Sequence, residues 1–205
     1  MAVTDRELAL TVLPANEATW ADLQAVFGMR GQPASCRCQG FKLGWHDRHD
    51  TMPVEERMER QRFQTVCDTP DAEITSGLVG YLDGEPVGWC AVEPRPAFPY
   101  LTNQRTVLRQ RGEDPSDAAV WSLTCFVTRV GFRHRGVMRG MARAAITLAR
   151  DRGARALEAY PIVTEPGVDI PWGEAHVGTL EVLLEAGLRE VAHPTKRRYV
   201  VRIDF

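Results

Sequence analysis

Phe132-Arg133-His134-Arg135-Gly136-Val137-Met138-Arg139-Gly140 is the stretch on which the reading of this sequence turns. Just before it, Val120 to Thr128 is a continuous apolar run, which predicts a strand buried on both faces. Just after it the period becomes 3.6. Val137, Met138, Met141, Ala142, Ala145, Leu148 and Ala149 form one apolar stripe, and Arg139, Arg143, Thr147 and Arg150 form the polar face. Gly153 supplies a stop, Arg155 to Tyr160 reads as another strand, and Pro161 ends it. Strand, helix and strand make one right-handed crossover unit. The opening stretch is therefore the turn from a buried strand into an amphipathic helix. A helix start leaves backbone N–H groups without intrahelical partners and carries the positive end of the peptide dipoles, so it can hold an anion such as a pyrophosphate. Gly136 lets backbone approach closely, while Arg133, Arg135 and Arg139 can add charge-assisted contacts. The plainer alternative is a solvated helix end. Neither G-x-x-x-x-G-K-S/T nor G-x-G-x-x-G occurs here, which weakens nucleoside-triphosphate and dinucleotide readings.

Working outward, Gly77 to Leu82 and Pro86 to Glu93 are short apolar runs joined by Asp83-Gly84, a pair suited to a type I′ hairpin turn. Pro94, Pro96 and Pro99 end the second run. Leu8 to Leu13 predicts a first strand. Asn16 or Thr19 caps a helix through Phe27, with Trp20, Leu23 and Phe27 on one face, and a second helix starts with Pro53 at its first position. Gly28 to Thr51 reads as irregular. After Pro161 a punctuated loop runs to Gly173, followed by a helix around His176 to Glu185, Gly187 as its cap, and strands near Leu188 to Ala192 and Arg198 to Ile203. Strands interleaved with helices predict an α/β layered fold, one mixed sheet with helices on both faces.

At 205 residues the chain fits one domain with a sizeable core, and 44% hydrophobic with 25% charged residues excludes a disordered chain or a rod. A net charge of -2 gives no global attraction to nucleic acid or to an anionic membrane, so any anion site must be local. The five cysteines are odd in number and scattered, which fits reduced thiols. Neither a secretory start nor an 18-residue apolar run is visible, so the expected location is cytoplasmic.

With these elements in order, the sequence resembles the GNAT superfamily of acyl-CoA-dependent N-acetyltransferases. Arg133, Gly136 and Met138 fall in register with the signature Q/R-x-x-G-x-G/A; the first two match, Met138 stands where a small residue is usual, and Gly140 follows two residues on. The resemblance extends over the Asp83-Gly84 hairpin, Cys125-Phe126-Val127-Thr128, Leu157-Glu158-Ala159-Tyr160 and Glu185-Ala186-Gly187-Leu188, covering Gly77 to Phe205. It implies a mixed, mostly antiparallel GNAT-like sheet in one domain, with 77–205 as the acyl-CoA-binding core and 14–70 as a helical and irregular acceptor-side segment. It implies acetyl-CoA as co-substrate. Backbone groups of Phe126, Val127 and Thr128 would take the pantetheine arm and acyl carbonyl, and N–H groups from His134, Arg135, Gly136, Val137, Met138 and Arg139 would take the pyrophosphate. Two strands that splay apart expose unpaired N–H and C=O groups able to polarise a thioester carbonyl.

The acceptor amine must lose a proton before it attacks, so a base or water relay is needed. Glu158 is the first candidate, a carboxylate inside a covered strand with Tyr160 on the same side two residues on. Its alternative reading is a structural carboxylate satisfied by a neighbouring arginine or backbone N–H. Glu93 is next, and His176 and His134 are imidazoles of the type used for proton transfer or else surface or capping residues. Family members often carry a tyrosine near the end of the last helix as general acid; Leu183 stands there. Cys36, Cys38, His46 and His49 have an unusual metal spacing, so no metal is expected and a substrate-side loop with reduced thiols is preferred. Trp20, Phe41 and Trp45 suit an apolar acceptor pocket or plain packing. The expected partner is a small-molecule or peptide amine, with a homodimer left open. A catalytically silent CoA-binding regulatory module is the alternative from another class.

Overall fold

The computed structural model describes residues 9–44, 51–102, 108, 111–164, 167 and 170–205. Trp45, His46 and His49 of the sequence reading lie outside these. Seven strands form one sheet in the order β1-β2-β3-β4-β5-β7-β6: β1 Leu10–Pro14, β2 Leu78–Leu82, β3 Glu85–Pro94, β4 Val120–Thr128, β5 Ala156–Ala159, β6 Arg189–Thr195 and β7 Arg198–Asp204. Every neighbouring pair is antiparallel except β4 with β5. Asp83 and Gly84 both have positive φ, 50° and 80°, as a type I′ turn between β2 and β3 requires.

Helices cover both faces. On one side lies α5, Val137–Asp151, packed across β3, β4 and β2, with Val137, Met141, Ala142, Ala145, Ile146 and Ala149 buried. Met138 and Leu148, expected in the apolar stripe, are only partly buried, while Ile146, outside the expected stripe, is buried. On the other side α1, Trp20–Phe27, buries Leu23, Val26 and Phe27 against β3, and the Thr19 hydroxyl caps it by accepting from Asp22 N–H. The irregular 28–51 stretch contains α2, Gly31–Cys36, and α3 runs Val54–Thr65 with Pro53 as its N-cap rather than its first residue. Beyond β3 come one turn of 3-10 helix, Arg95–Ala97, and α4, Pro99–Thr102. The helix expected around His176 to Glu185 is two short pieces, α6 Trp172–Ala175 and α7 Leu180–Glu185. Gly178, at φ +87°, separates them, because its backbone passes so close to the Phe126 ring that a Cβ would sit 3.0 Å from it.

Two irregularities shape the centre of the sheet. Ala91 pairs with Cys125 but Val92 pairs with Leu123, so Thr124 is an extra residue that bulges β4. The parallel ladder between β4 and β5 ends at Leu123 and Ala159. From there the two strands diverge.

Candidate active site

The divergence and the start of α5 meet in one groove of about 620 Å³. It is lined by Phe126 and Thr128 of β4, by Arg133, His134, Gly136, Val137, Met138 and Arg139 of the turn and helix start, and by residues of 170–182 that include His176. Gly136 caps α5 in the left-handed region, at φ 80° and ψ 5°, and His134 just before it is also left-handed at φ 60°. The first intrahelical bond is Gly140 N–H to Gly136 C=O at 3.1 Å. Val137, Met138 and Arg139, which line the groove, are the first residues of the helix, where backbone N–H groups have no intrahelical acceptor. Arg133, His134 and Arg135 are exposed, and Arg135 lies over the Phe132 ring. The Arg139 guanidinium instead pairs with Glu185 of α7, tying the two helices together.

On β4 the structure departs from the expectation of open backbone groups. Phe126 N–H donates to the His176 carbonyl at 2.6 Å. The segment holding that carbonyl is itself clamped against the chain beyond β5: Ile162 N–H donates to Gly178 C=O and Leu180 N–H to Ile162 C=O, each at 3.0 Å. Residues 176–180 thus lie in the space that β4 and β5 open between them. A buried N–H has to find an acceptor, and the chain supplies one. The His176 ring packs on Phe41, which also meets Tyr100 edge-on.

The candidate proton carriers lie on the face opposite α5. Glu158 is 0% exposed. Its carboxylate accepts from Arg111, from Arg202 Nη1 at 3.0 Å and from Tyr160 Oη at 3.2 Å, and pairs with Arg95 Nη2 at 3.0 Å. Burial pushes its pKa up, but the arginines outweigh burial and hold the carboxyl below its ordinary value. Tyr160 shares a 3.0 Å hydrogen bond with the Ser122 hydroxyl, and its phenol is pushed well up by burial and then by the Glu158 charge. Glu93 accepts from Lys42 Nζ and Ser76 Oγ, and its side chain keeps 15% exposure. Burial lowers Lys42 from its ordinary value although Glu93 works against it. Lys42, Ser76, Arg95, Arg111 and Arg202 escaped the sequence reading, since each reaches its carboxylate from a remote part of the chain. Leu183 is fully buried in the core on the α5 side.

The fold has counterparts among known structures. A GCN5-related N-acetyltransferase from Kribbella flavida is 19% identical, with 96% of this chain and 98% of that one covered at a TM-score of 0.54. The PaiA N-acetyltransferase of Thermoplasma acidophilum, in complex with coenzyme A, is 9% identical, with 97% and 100% covered at 0.51. An acetyltransferase from Salmonella typhimurium with its cofactor acetyl-CoA is 13% identical, with 96% and 94% covered at 0.51. At such identities the likeness concerns the fold. No curated protein sequence matches. The family model for GNAT acetyltransferases matches residues 43–167, which takes in the hairpin, the bulged β4, the Gly136 turn and β5; the chain belongs to the acetyltransferase (GNAT) family.

Proposed function

We propose that this chain transfers an acetyl group from acetyl-CoA to a primary amine, by direct attack of the amine nitrogen on the thioester carbon. The observation that carries the reading is the single groove in which the end of β4 and the start of α5 meet. Its two ends suit the two ends of the donor. The Val137, Met138 and Arg139 N–H groups and the helix dipole stabilise a pyrophosphate, and the backbone of Phe126, Val127 and Thr128 suits an amide-bearing arm. Phe126 N–H is the donor best placed to stabilise negative charge on the thioester oxygen once the His176 carbonyl leaves it. The solved structures with coenzyme A and acetyl-CoA bound on the same fold support this choice of donor.

For the proton, Glu93 is the candidate we favour. It lies two residues along β3 from Ala91, the partner of Cys125, and it is the carboxylate that keeps contact with solvent. Glu158 and Tyr160 belong to the scaffold in this reading, because every approach to the Glu158 oxygens is taken by an arginine or a phenol. One observation favours the second reading, a silent CoA-binding module: the oxyanion donor at Phe126 is engaged within the chain. The test is free-thiol release from acetyl-CoA against an amine library, with mass identification of products. An N-acetylated product supports the enzyme; tight CoA binding without thiol release on any amine supports the module.

A further inference from the structure

On the face of the sheet away from α5, two thiols meet. Cys38 Sγ lies 2.7 Å from Cys125 Sγ, and Trp89 Nε1 donates to Cys38 Sγ at 3.2 Å. Cys38 is 8% exposed and Cys125, on β4 beside the bulged Thr124, is 2%. All five cysteines are free. The others sit elsewhere: Cys90 Sγ donates to the Met141 carbonyl on the α5 face, Cys67 bonds Thr65, and Cys36 is half-buried at the end of α2.

The backbone that delivers Cys38 is under strain. Arg37 and Cys38 are consecutive residues with side chains in the left-handed region, at φ 54° and 53°. A residue with a Cβ is disfavoured in this region, so the surrounding contacts must hold the pair in place. Arg37 Nη1 donates to Gln24 Oε1 at 2.7 Å, its guanidinium lies over the Phe27 ring, and Gln39 Nε2 donates to Gln64 Oε1 at 2.9 Å. These ties pin the acceptor-side segment so that one thiol rests on another.

We propose that Cys38 and Cys125 form a redox pair that hydrogen peroxide converts into a disulfide, covalently joining the segment after α2 to β4. Cys38, the more exposed of the two, reacts first. Its sulfur attacks the O–O bond, one oxygen leaves as water after taking the thiol proton, and a sulfenic acid remains. Cys125 sulfur then attacks the Cys38 sulfur, and the sulfenic oxygen departs as a second water carrying the Cys125 proton. Two thiols lose two electrons and the peroxide gains them. Bonding needs the sulfurs to close by under about 1 Å, to the 2.05 Å of a disulfide.

The full chain is treated with hydrogen peroxide, alkylated, digested with trypsin and mapped by mass. Trypsin cuts after Arg37, so Cys36 and Cys38 fall on different peptides. The expected result is the loss of two of five thiols, a peptide pair joined through Cys38 and Cys125, and a melting temperature raised by about 5 °C that dithiothreitol reverses. Cys38→Ser retains its four remaining thiols under the same treatment, whereas Cys125→Ser stops at a dimedone-reactive sulfenic acid on Cys38 and keeps three. Five thiols surviving in the wild type, a bridge through Cys36 or Cys67, or sulfinic acid at Cys38 without a bridge overturns the proposal. The wild-type map decides this even where a variant fails to fold.

Discussion

Glu158 shows how a carboxylate in the middle of a strand is kept charged without access to solvent. Arg95, Arg111 and Arg202 surround it, from the turn after β3, the segment before β4, and β7. With Glu158 neutral these arginines keep only Glu113 as a shared, partly exposed counter-charge, 3.4 Å from Arg95, 3.2 Å from Arg111 and 3.3 Å from Arg202, so the loss falls near the low end of the roughly 3–5 kcal/mol that follows when a buried ion pair loses one partner. Glu158→Gln is therefore expected to lower the melting temperature markedly while turnover per folded molecule stays within about twofold of wild type. Because the folded pKa lies below the unfolded one, the carboxylate stabilises fully above the ordinary carboxylate range, and this is lost as pH falls through the folded value. Melting curves of wild type and Glu158→Gln should consequently converge below about pH 4. Glu93→Gln is expected to behave in the opposite way, with turnover falling by about 10²–10⁴ and partial recovery at high pH, where solvent deprotonates the amine. A pH–rate profile of the pair checks both. At this scale little was legible in the sequence. That Glu158 and Glu93 are unusual carboxylates follows from their places in apolar strands, but Lys42 stands 51 residues from Glu93 and Arg202 stands 44 from Glu158. No local period connects such partners.

Elements were easier to read, because their signals are local. The hairpin at Asp83-Gly84, the nine residues of β4 and the 3.6 period of α5 each lie within a window shorter than a single loop closure. Their junction at Gly136 can be tested without disturbing packing, since a Cβ there meets nothing within 4 Å. Only the backbone objects, at φ +80°. Gly136→Val is thus expected to leave the melting temperature within a few degrees of wild type and to weaken CoA binding by about tenfold, roughly 1.4 kcal/mol, as the helix-start N–H groups turn away. Titration calorimetry measures it, and unchanged affinity would remove the helix start from the donor site. What the element signals do not contain is the Thr124 bulge or the break at Gly178. Both answer to neighbours across the sheet, Ala91 and Phe126, rather than to adjacent residues.

Across the whole molecule, the sheet separates two environments. The α5 side carries the groove in which the end of β4 and the start of α5 meet, and the other side carries the carboxylate clusters, the thiol pair and the α1–α3 cover. Reaction between a donor and an acceptor held on opposite sides has to pass through the opening between β4 and β5, and that opening holds residues 176–180. The hydrogen bond from Phe126 to the His176 carbonyl then has a consequence in time. If the donor's arm enters only after the segment lifts, the observed rate of acetyl-CoA binding in stopped flow should level off at a ceiling set by the lifting step, instead of rising linearly with concentration. Truncating the ring that anchors the segment, Phe41→Ala, should raise that ceiling severalfold, because His176 loses its aromatic contact. A strictly linear dependence up to high concentration would mean that the donor enters with the segment in place, and that its carbonyl oxygen meets a different N–H.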